Sequence, residues 1–207
     1  TLRDALPLVR LRAQAMQEAV PMGTGAMAAI LGLDDDAVRA ACAESAQGEV
    51  VEAVNFNARS QVVIAGHKAA VERAAAAAKA KGAKRAMMLQ VSAPFHCALM
   101  KPAADAMAEA LGKTNVKPPA VPVVANVLAA PITDPQEIVK RLVEQVTGTV
   151  RWSECVTAMA NAGVKTFYEV GAGKVLTGLL KRIADGATGM SIGTPDDVAA
   201  FKTQRSQ

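Results

Sequence analysis

The 207-residue chain is 51% hydrophobic and 20% charged, and its formal net charge is +4 at pH 7. This length allows one domain with a sizeable core, or a domain that carries a second, smaller one. No apolar stretch approaches the roughly 20 residues of a membrane span, and few aromatic residues interleave with the scattered lysines and arginines, which argues against membrane and nucleic-acid partners.

The first part of the chain predicts a helix followed by a small domain. The opening TLRD resembles a capping box, because Asp4 lies three residues after Thr1, and it predicts a helix through about Glu18. Residues 22–91 then predict the element order βαββαβ, which is a ferredoxin-like split βαβ arrangement. The six segments are GAMAAILGL, DDDAVRAACAESA, EVVEAVNFN, SQVVIAG, HKAAVERAAAAAKAKG and AKRAMMLQV.

The second part predicts helices that alternate with short apolar strands. The helical segments are CALMKPAADAMAEAL, DPQEIVKRLVEQV, RWSECVTAMANAG and KVLTGLLKRI, and the strands are AVPVVANV, TFYEV and GMSIG. Single strands separated by helices predict a parallel sheet with helices on its faces. Three strands are few for such a sheet, so we expect them to form one side of a sheet whose other side lies elsewhere.

His96 stands in QVSAPFHCALMKPAAD, at the junction between a predicted strand and a predicted helix. Ligands of parallel sheets collect beyond the carboxyl ends of strands, so a base at this junction could reach a substrate. The alternative is a structural histidine that caps the helix or fills a polar gap. We assign that structural role to the other histidine, His67, which opens a helix of the small domain.

The chain offers no obvious nucleophile for such a base. None of its serines lies in a G-x-S-x-G elbow; they are Ser45, Ser60, Ser92, Ser153, Ser191 and Ser206. Cys97 adjoins His96, but sequence neighbours point in different directions, so we expect a small buried hydrophobe there. The other cysteines, Cys42 and Cys155, are far away, which indicates neither disulfides nor a zinc site. Together with an N-terminus that lacks an apolar signal region, this predicts the cytoplasm.

Four stretches closely resemble the bacterial malonyl-CoA:acyl carrier protein transacylase family. They are MQEAVPMGTGAMAAILGLDD, VNFNARSQVVIAGHKAAVERA, GAKRAMMLQVSAPFHCALMKPAAD and YEVGAGKVLTGLLKRI. In that family a serine of a G-H-S-x-G elbow takes malonyl from coenzyme A as an ester and passes it to the phosphopantetheine thiol of acyl carrier protein. The resemblance, which runs from Leu2 to about Ile183, therefore implies an acyltransferase of fatty acid biosynthesis that acts as a monomer without metal or redox cofactor.

The resemblance also implies a domain plan. An α/β fold is expected, in which residues 1–21 and 92–207 belong to an α/β hydrolase-like parallel-sheet core. Residues 22–91 form the ferredoxin-like subdomain inserted into that core. The active site is expected in the cleft between them, where ligands often bind.

Five residues match positions with a role in the family. His96, in SAPFH, would be the general base that activates the serine and later protonates the leaving thiolate. Arg12, in VRLRAQAMQ, matches the arginine that clamps the malonyl carboxylate through two parallel hydrogen bonds. Gln145 matches the position whose backbone carbonyl orients the histidine, so its side chain is expected to be weakly constrained. Asn55 and Asn57, in VNFN, match a strand that lines the cleft, with strand-end hydrogen bonding as the alternative.

Two departures from the family pattern affect the expectations. In EVGAGKVL, which looks like a weak phosphate loop, Ala172 replaces the proline of the family's G-P-G turn. The family's segment with the elbow serine and the oxyanion loop is not among these residues, so we expect this stretch alone to be inactive. The open alternatives are a polyketide synthase-type acyltransferase, a non-catalytic carrier-protein or coenzyme A-binding module, and a hydrolase that uses Cys97.

Overall fold

The computed structural model describes residues 1–204, in which eight α-helices, one 3₁₀ helix and eight strands occur. Residues 205–207, and with them Ser206, lie outside the described part. The chain divides into two compact units, Thr1–Trp152 and a second that begins at Ser153. None of the helices in the described range is both long and apolar enough to cross a membrane.

The first unit opens with helix α1, Leu2–Glu18, as predicted. The Thr1 hydroxyl donates to Asp4 Oδ2 at 2.6 Å, so the expected contact between the two capping residues is present. Helix α1 packs with α4, Lys101–Gly112, and α5, Pro135–Thr147, around one apolar cluster. This cluster includes Met16 from α1, Met107 from α4 and Val146 from α5.

The six predicted elements of residues 22–91 are all present. They are β1 (Gly25–Leu31), α2 (Asp35–Ser45), β2 (Val51–Ala58), β3 (Gln61–His67), α3 (Lys68–Ala80) and β4 (Arg85–Met88). The four strands form an antiparallel sheet in the order β2-β3-β1-β4. Asp34 caps α2, because its Oδ1 accepts from the Asp36 N–H at 3.0 Å. The Asp-rich first turn therefore acts as the sequence suggested.

Strands β1, β2 and β3 of this sheet are buried on both faces, whereas β4 is mostly exposed. Alternate side chains, such as Ala28 and Ile30 of β1, face a core shared with α2 and α3. The opposite side chains, Met27 of β1 and Val54 of β2 among them, pack against Cys97 instead. The loop that carries His96 is therefore supported by the second face of the sheet.

The last part of the first unit contains a hairpin that the sequence did not predict. Strand β5, Val123–Ala125, pairs antiparallel with β6, Ala130–Ile132. The chain reverses at Ala129, which has a positive φ of 54°. Our prediction that AVPVVANV shares one parallel sheet with the two later strands is wrong for the described residues. Strand β6 escaped notice because it is short and contains Pro131, which cannot donate a backbone hydrogen bond.

The second unit contains the parallel pair that the sequence predicted. Strand β7, Thr166–Val170, pairs in parallel with β8, Thr188–Ile192. The helices of this unit are α6 (Trp152–Asn161, which starts at the boundary), α7 (Val175–Leu180) and α8 (Pro195–Gln204). Helix α8 was not predicted, although its capping box was visible: the Thr194 N–H donates to Asp197 Oδ2 and the Asp197 N–H donates to Thr194 Oγ1.

Candidate active site

His96 lies between β4 and the 3₁₀ helix Ala98–Met100, at the strand-to-helix junction that the sequence indicated. Its φ of 63° is in the left-handed region, which non-glycine residues seldom adopt. Such a conformation costs free energy and persists only where the surroundings enforce it. The packing of this loop is therefore part of the site.

Two contacts anchor the loop on either side of His96. The Cys97 thiol donates to the Pro94 carbonyl at 3.1 Å, and both residues are buried. The Pro94 ring lies against Gly25 at the start of β1, where a Cβ would overlap the ring. Glycine at position 25 thus allows the loop that carries His96 to approach the sheet closely.

The His96 ring is held by the end of helix α5. Its Nδ1 lies 2.9 Å from the Gln145 carbonyl oxygen. Because a carbonyl can only accept, Nδ1 carries the proton and donates, which leaves the Nε2 lone pair as an acceptor in the neutral ring. In this tautomer, Nε2 can accept a proton from a neighbouring hydroxyl or thiol group.

Burial lowers the pKa of His96 below its ordinary value. The backbone carbonyls of Gln145 and Gly148 oppose this by raising the pKa, and the positive charge of Arg12 lowers it further. The net effect is a lowered pKa, so the imidazole is neutral at pH 7. A neutral imidazole is the form that acts as a general base.

Arg12 lies on α1 within electrostatic reach of His96. Partial burial lowers the pKa of its guanidinium, and among residues 1–204 it forms no ion pair. It borders a cavity of about 320 Å³ lined by Ala5, Leu8, Val9, Arg12, Met107, Leu111, Leu142 and Gln145. Arg12 and Gln145 are the polar residues among those that line this cavity, so the cavity suits a small molecule with one anionic end.

Asn55 and Asn57 are both half-buried on β2. Asn55 forms a bridge with Val150, just after α5: the Phe56 N–H donates to the Val150 carbonyl at 2.9 Å, and the Val150 N–H donates to the Val54 carbonyl at 2.7 Å. Main-chain bonds of the two neighbours of Asn55 therefore connect β2 to the segment that follows α5. In the described range, no hydrogen bond links Asn57 to His96, Arg12 or Gln145.

The structure thus brings three of the five predicted site residues together: Arg12, His96 and Gln145. It also adds Gly148, which the sequence analysis did not select. The available signal was its position as a glycine two residues after a predicted helix, but that signal indicates only a helix end. Its role beside the histidine depends on how the turn packs.

The structure does not favour two alternative chemistries, a cysteine nucleophile and a phosphate loop. Burial raises the pKa of the Cys97 thiol to about 12, so the thiolate needed for nucleophilic attack is not formed near neutral pH. In EVGAGKVL the Glu169 carboxylate accepts from the N–H groups of Leu176 and Thr177, which are the groups that a phosphate would need.

Across residues 1–204, no cluster of three or more His, Cys, Asp or Glu side chains is placed to hold a metal ion.

These observations define an α/β protein whose polar centre is a histidine held by a main-chain carbonyl beside an arginine. Residues 1–198 match the family model described as the acyl transferase domain, and the chain belongs to this family. The resemblance noted from the sequence is confirmed by the named relatives.

The Escherichia coli (strain K12) malonyl CoA-acyl carrier protein transacylase is 56% identical over 197 residues, which cover 95% of this chain and 64% of the relative. The Bacillus subtilis (strain 168) protein of the same name is 41% identical over 199 residues, or 96% of this chain and 63% of the relative. The chain therefore spans slightly less than two thirds of these relatives.

Solved structures give the same picture. The acyl-carrier-protein S-malonyltransferase of Burkholderia pseudomallei 1710b has a TM-score of 0.92 and 56% identity, over 97% of this chain and 66% of that one. A malonyl-transacylase solved in complex with a holo type II polyketide synthase acyl-carrier protein has a TM-score of 0.91 and 48% identity, over 96% of this chain and 65% of that one. The described residues therefore share the α/β fold of these enzymes.

Proposed function

We propose that this chain forms part of an acyltransferase that moves a malonyl group from malonyl-CoA to the phosphopantetheine thiol of acyl carrier protein in fatty acid biosynthesis. The observation that carries the proposal is the 2.9 Å contact between His96 Nδ1 and the Gln145 carbonyl, with Arg12 beside it. The names of the relatives support it.

His96 is the general base and acid of the proposed reaction. Nε2 takes the hydroxyl proton of a serine outside these residues while the serine oxygen attacks the thioester carbonyl. When the C–S bond breaks, the imidazolium returns the proton to the coenzyme A thiolate, and a malonyl-serine ester remains. The carrier-protein thiol then loses its proton to Nε2 and attacks the ester carbonyl. When the C–O bond to the serine breaks, the imidazolium returns the proton to the serine oxygen, and malonyl is left on the carrier-protein sulfur. The Gln145 carbonyl stabilises the imidazolium in each half-reaction.

Arg12 is the proposed partner of the malonyl carboxylate. A guanidinium can form two parallel charge-assisted hydrogen bonds to a carboxylate, and partial burial strengthens them. Acetyl-CoA lacks this carboxylate and gains nothing from Arg12. Asn55 and Asn57 are proposed to line the cleft on the side of β2.

The domain plan proposed for the protein follows the sequence analysis. The described residues 1–21 and 92–204 form part of an α/β hydrolase-like core, and residues 22–91 form an inserted ferredoxin-like subdomain. The strand order β2-β3-β1-β4 and the element order βαββαβ support the second assignment. A cytoplasmic, monomeric enzyme that needs no cofactor and binds neither nucleic acid nor membrane completes the proposal.

A second candidate is a non-catalytic module that binds carrier protein or coenzyme A. It is favoured by one observation, the lack of a G-x-S-x-G elbow in the sequence. A polyketide synthase-type acyltransferase is not favoured, since the curated relatives are malonyl CoA-acyl carrier protein transacylases.

A chimera distinguishes the two candidates. The part of the Escherichia coli relative that this chain does not match would be placed before Thr1, and malonyl transfer to holo-acyl carrier protein would be measured. The acyltransferase proposal predicts transfer by the chimera and none by the 207-residue chain. A folded chimera that binds malonyl-CoA but transfers nothing would support the binding module instead.

A further inference from the structure

The side chain of Gln145 makes contacts that the proposed reaction does not use. Its Nε2 donates to the Gly148 carbonyl at 2.9 Å, with a longer contact of 3.5 Å to the Thr149 carbonyl. The carbonyl of the same residue accepts from His96. One residue therefore contacts both the histidine and the turn that follows its own helix.

The position of Gln145 at the end of α5 makes these side-chain contacts important for the direction of its carbonyl. The last carbonyls of a helix have no partner within the helix, so their directions depend on groups outside the helix. Here the helix ends at Thr147, the Gln145 carbonyl turns to His96, and the Gly148 carbonyl receives the Gln145 side chain. The turn also has little room, because a Cβ at Gly148 would lie 2.7 Å from the Glu144 carbonyl oxygen.

The turn is fixed on its far side as well. Val150 exchanges two main-chain hydrogen bonds with β2, one to the Val54 carbonyl and one from the Phe56 N–H. Main-chain hydrogen bonds thus tie Val150 to the sheet, and the covalent chain leads from Val150 back to the Gly148 turn. The Gln145 side chain then connects this turn to the residue whose carbonyl contacts His96.

We infer that the Gln145 side chain is a positioning group, which fixes the Gly148 turn and thereby aims the Gln145 carbonyl at His96 Nδ1. The inference deepens the proposed function, on which the importance of the His96 tautomer rests. It departs from the expectation that residue 145 acts through its carbonyl alone. A side chain without a donor in this position would leave the turn free to shift and the histidine free to change tautomer.

The test is a ¹⁵N NMR measurement of the imidazole rings in the 207-residue chain at a pH above their titration. The chain has two histidines, so a His67→Gln variant assigns the His96 signals. Gln145→Met keeps the length of the side chain and removes its donor. We expect the Nδ1–H tautomer of His96 to dominate in the parent chain and the Nε2–H tautomer to appear in the variant, with faster exchange of the ring N–H proton.

The matched control is Gln136→Met, at an exposed position near the start of the same helix. It should leave the His96 tautomer unchanged. Fluorescence of Trp152, the single tryptophan of the chain, reports whether each variant is folded. If Gln145→Met does not fold, Gln145→Glu gives the same test, because the ionised carboxylate has the same size and cannot donate.

A folded Gln145 variant with the parent tautomer and parent exchange rate would overturn the inference, and a fall in melting temperature alone would not support it. The NMR outcome does not depend on acyl transfer, so failure of the proposed function and failure of this inference are separable. In the chimera, Gln145→Met should lower kcat by up to about 100-fold with little change in KM, as expected for a misplaced reacting group.

Discussion

At the scale of single residues, the properties of His96 come from groups that are distant in sequence. Gln145 is 49 residues away and Arg12 lies on the first helix, yet both act on the imidazole. The carbonyl of Gln145 selects the tautomer, and burial keeps the ring neutral. Because it is buried, His96 has a lower pKa than an exposed histidine, and this difference can be measured.

The lowered pKa of His96 predicts a specific pH dependence of stability. In the unfolded chain the pKa returns to about 6.5, so the unfolded state binds more protons than the folded state below that pH. The contribution of neutral His96 to stability is therefore complete above pH 6.5 and is lost as the pH falls through the lowered folded pKa. When the pH is lowered from about 7.5 to about 5, the melting temperature of the His96→Gln variant should fall less than that of the parent chain. An equal or larger loss in the variant would contradict the lowered pKa.

The cysteines give a second prediction at this scale. All three are buried and form no disulfide, and burial raises the pKa of Cys42 and of Cys97 to about 12. Iodoacetamide at about pH 8 should therefore leave the native chain unlabelled and label three thiols after unfolding, as read by intact mass. Rapid labelling of Cys97 in the native chain would instead support the hypothesis of a hydrolase that uses Cys97 as its nucleophile.

Arg12 gives a third prediction, in the chimera described above. Arg12→Ala should lower kcat/KM for malonyl-CoA by about 10- to 100-fold, because a hydrogen-bonded charged pair is worth about 1.5–3 kcal/mol. Transfer of acetyl should change far less, since acetyl makes no such pair. Arg10→Ala, at an exposed position two residues earlier, is the control. Equal losses with malonyl and acetyl would mean that Arg12 has a structural role.

At the scale of elements, the sheet formed by β1 to β4 contributes side chains to two separate apolar clusters. Its helix-facing core is formed by residues between Ala26 and Ala83 alone, whereas its other face packs against the loop that carries His96. The subdomain therefore has a complete core of its own and also supports the candidate site. Pro94 of that loop packs against Gly25 of the sheet, where a Cβ would overlap the proline ring.

This division predicts how residues 22–91 behave alone. We expect a cooperative thermal transition by circular dichroism, together with binding of a hydrophobic dye to the uncovered face that contains Val54. Val54→Thr should reduce dye binding and keep the transition, whereas Ile30→Thr, in the helix-facing core, should abolish it. A fragment without a cooperative transition would show that the subdomain depends on the loop that carries His96.

Sequence patterns predicted most elements but not the contacts between them. The caps and periodicities of α1, α2 and the four strands of the small sheet are local signals, and the structure has these elements where they were expected. The sequence analysis did not predict β6, which is short and contains a proline. It also did not predict α8, although the capping box of that helix is present in the sequence. The contact between His96 and Gln145 was implied by family resemblance alone, since no local pattern encodes a pairing of this range.

At the scale of the whole molecule, the described residues contain the proposed base, His96, and the proposed anion-binding group, Arg12, but no serine elbow. The chain spans 64% of the Escherichia coli relative, and the proposed reaction needs a nucleophile that these residues do not contain. The proposal therefore concerns what this chain contributes to a larger active site. It is tested best where that larger site is complete.

The central measurement is the rate of malonyl transfer by the chimera with and without His96→Ala. A general base contributes about 10²- to 10⁴-fold, so we expect a loss of that size with a nearly unchanged melting temperature. His67→Ala is the control: it removes the acceptor of the Val50 N–H, so stability should fall slightly while the rate per folded molecule stays the same. Loss of activity only in proportion to unfolding, or full activity without His96, would contradict the assignment of His96 as the base.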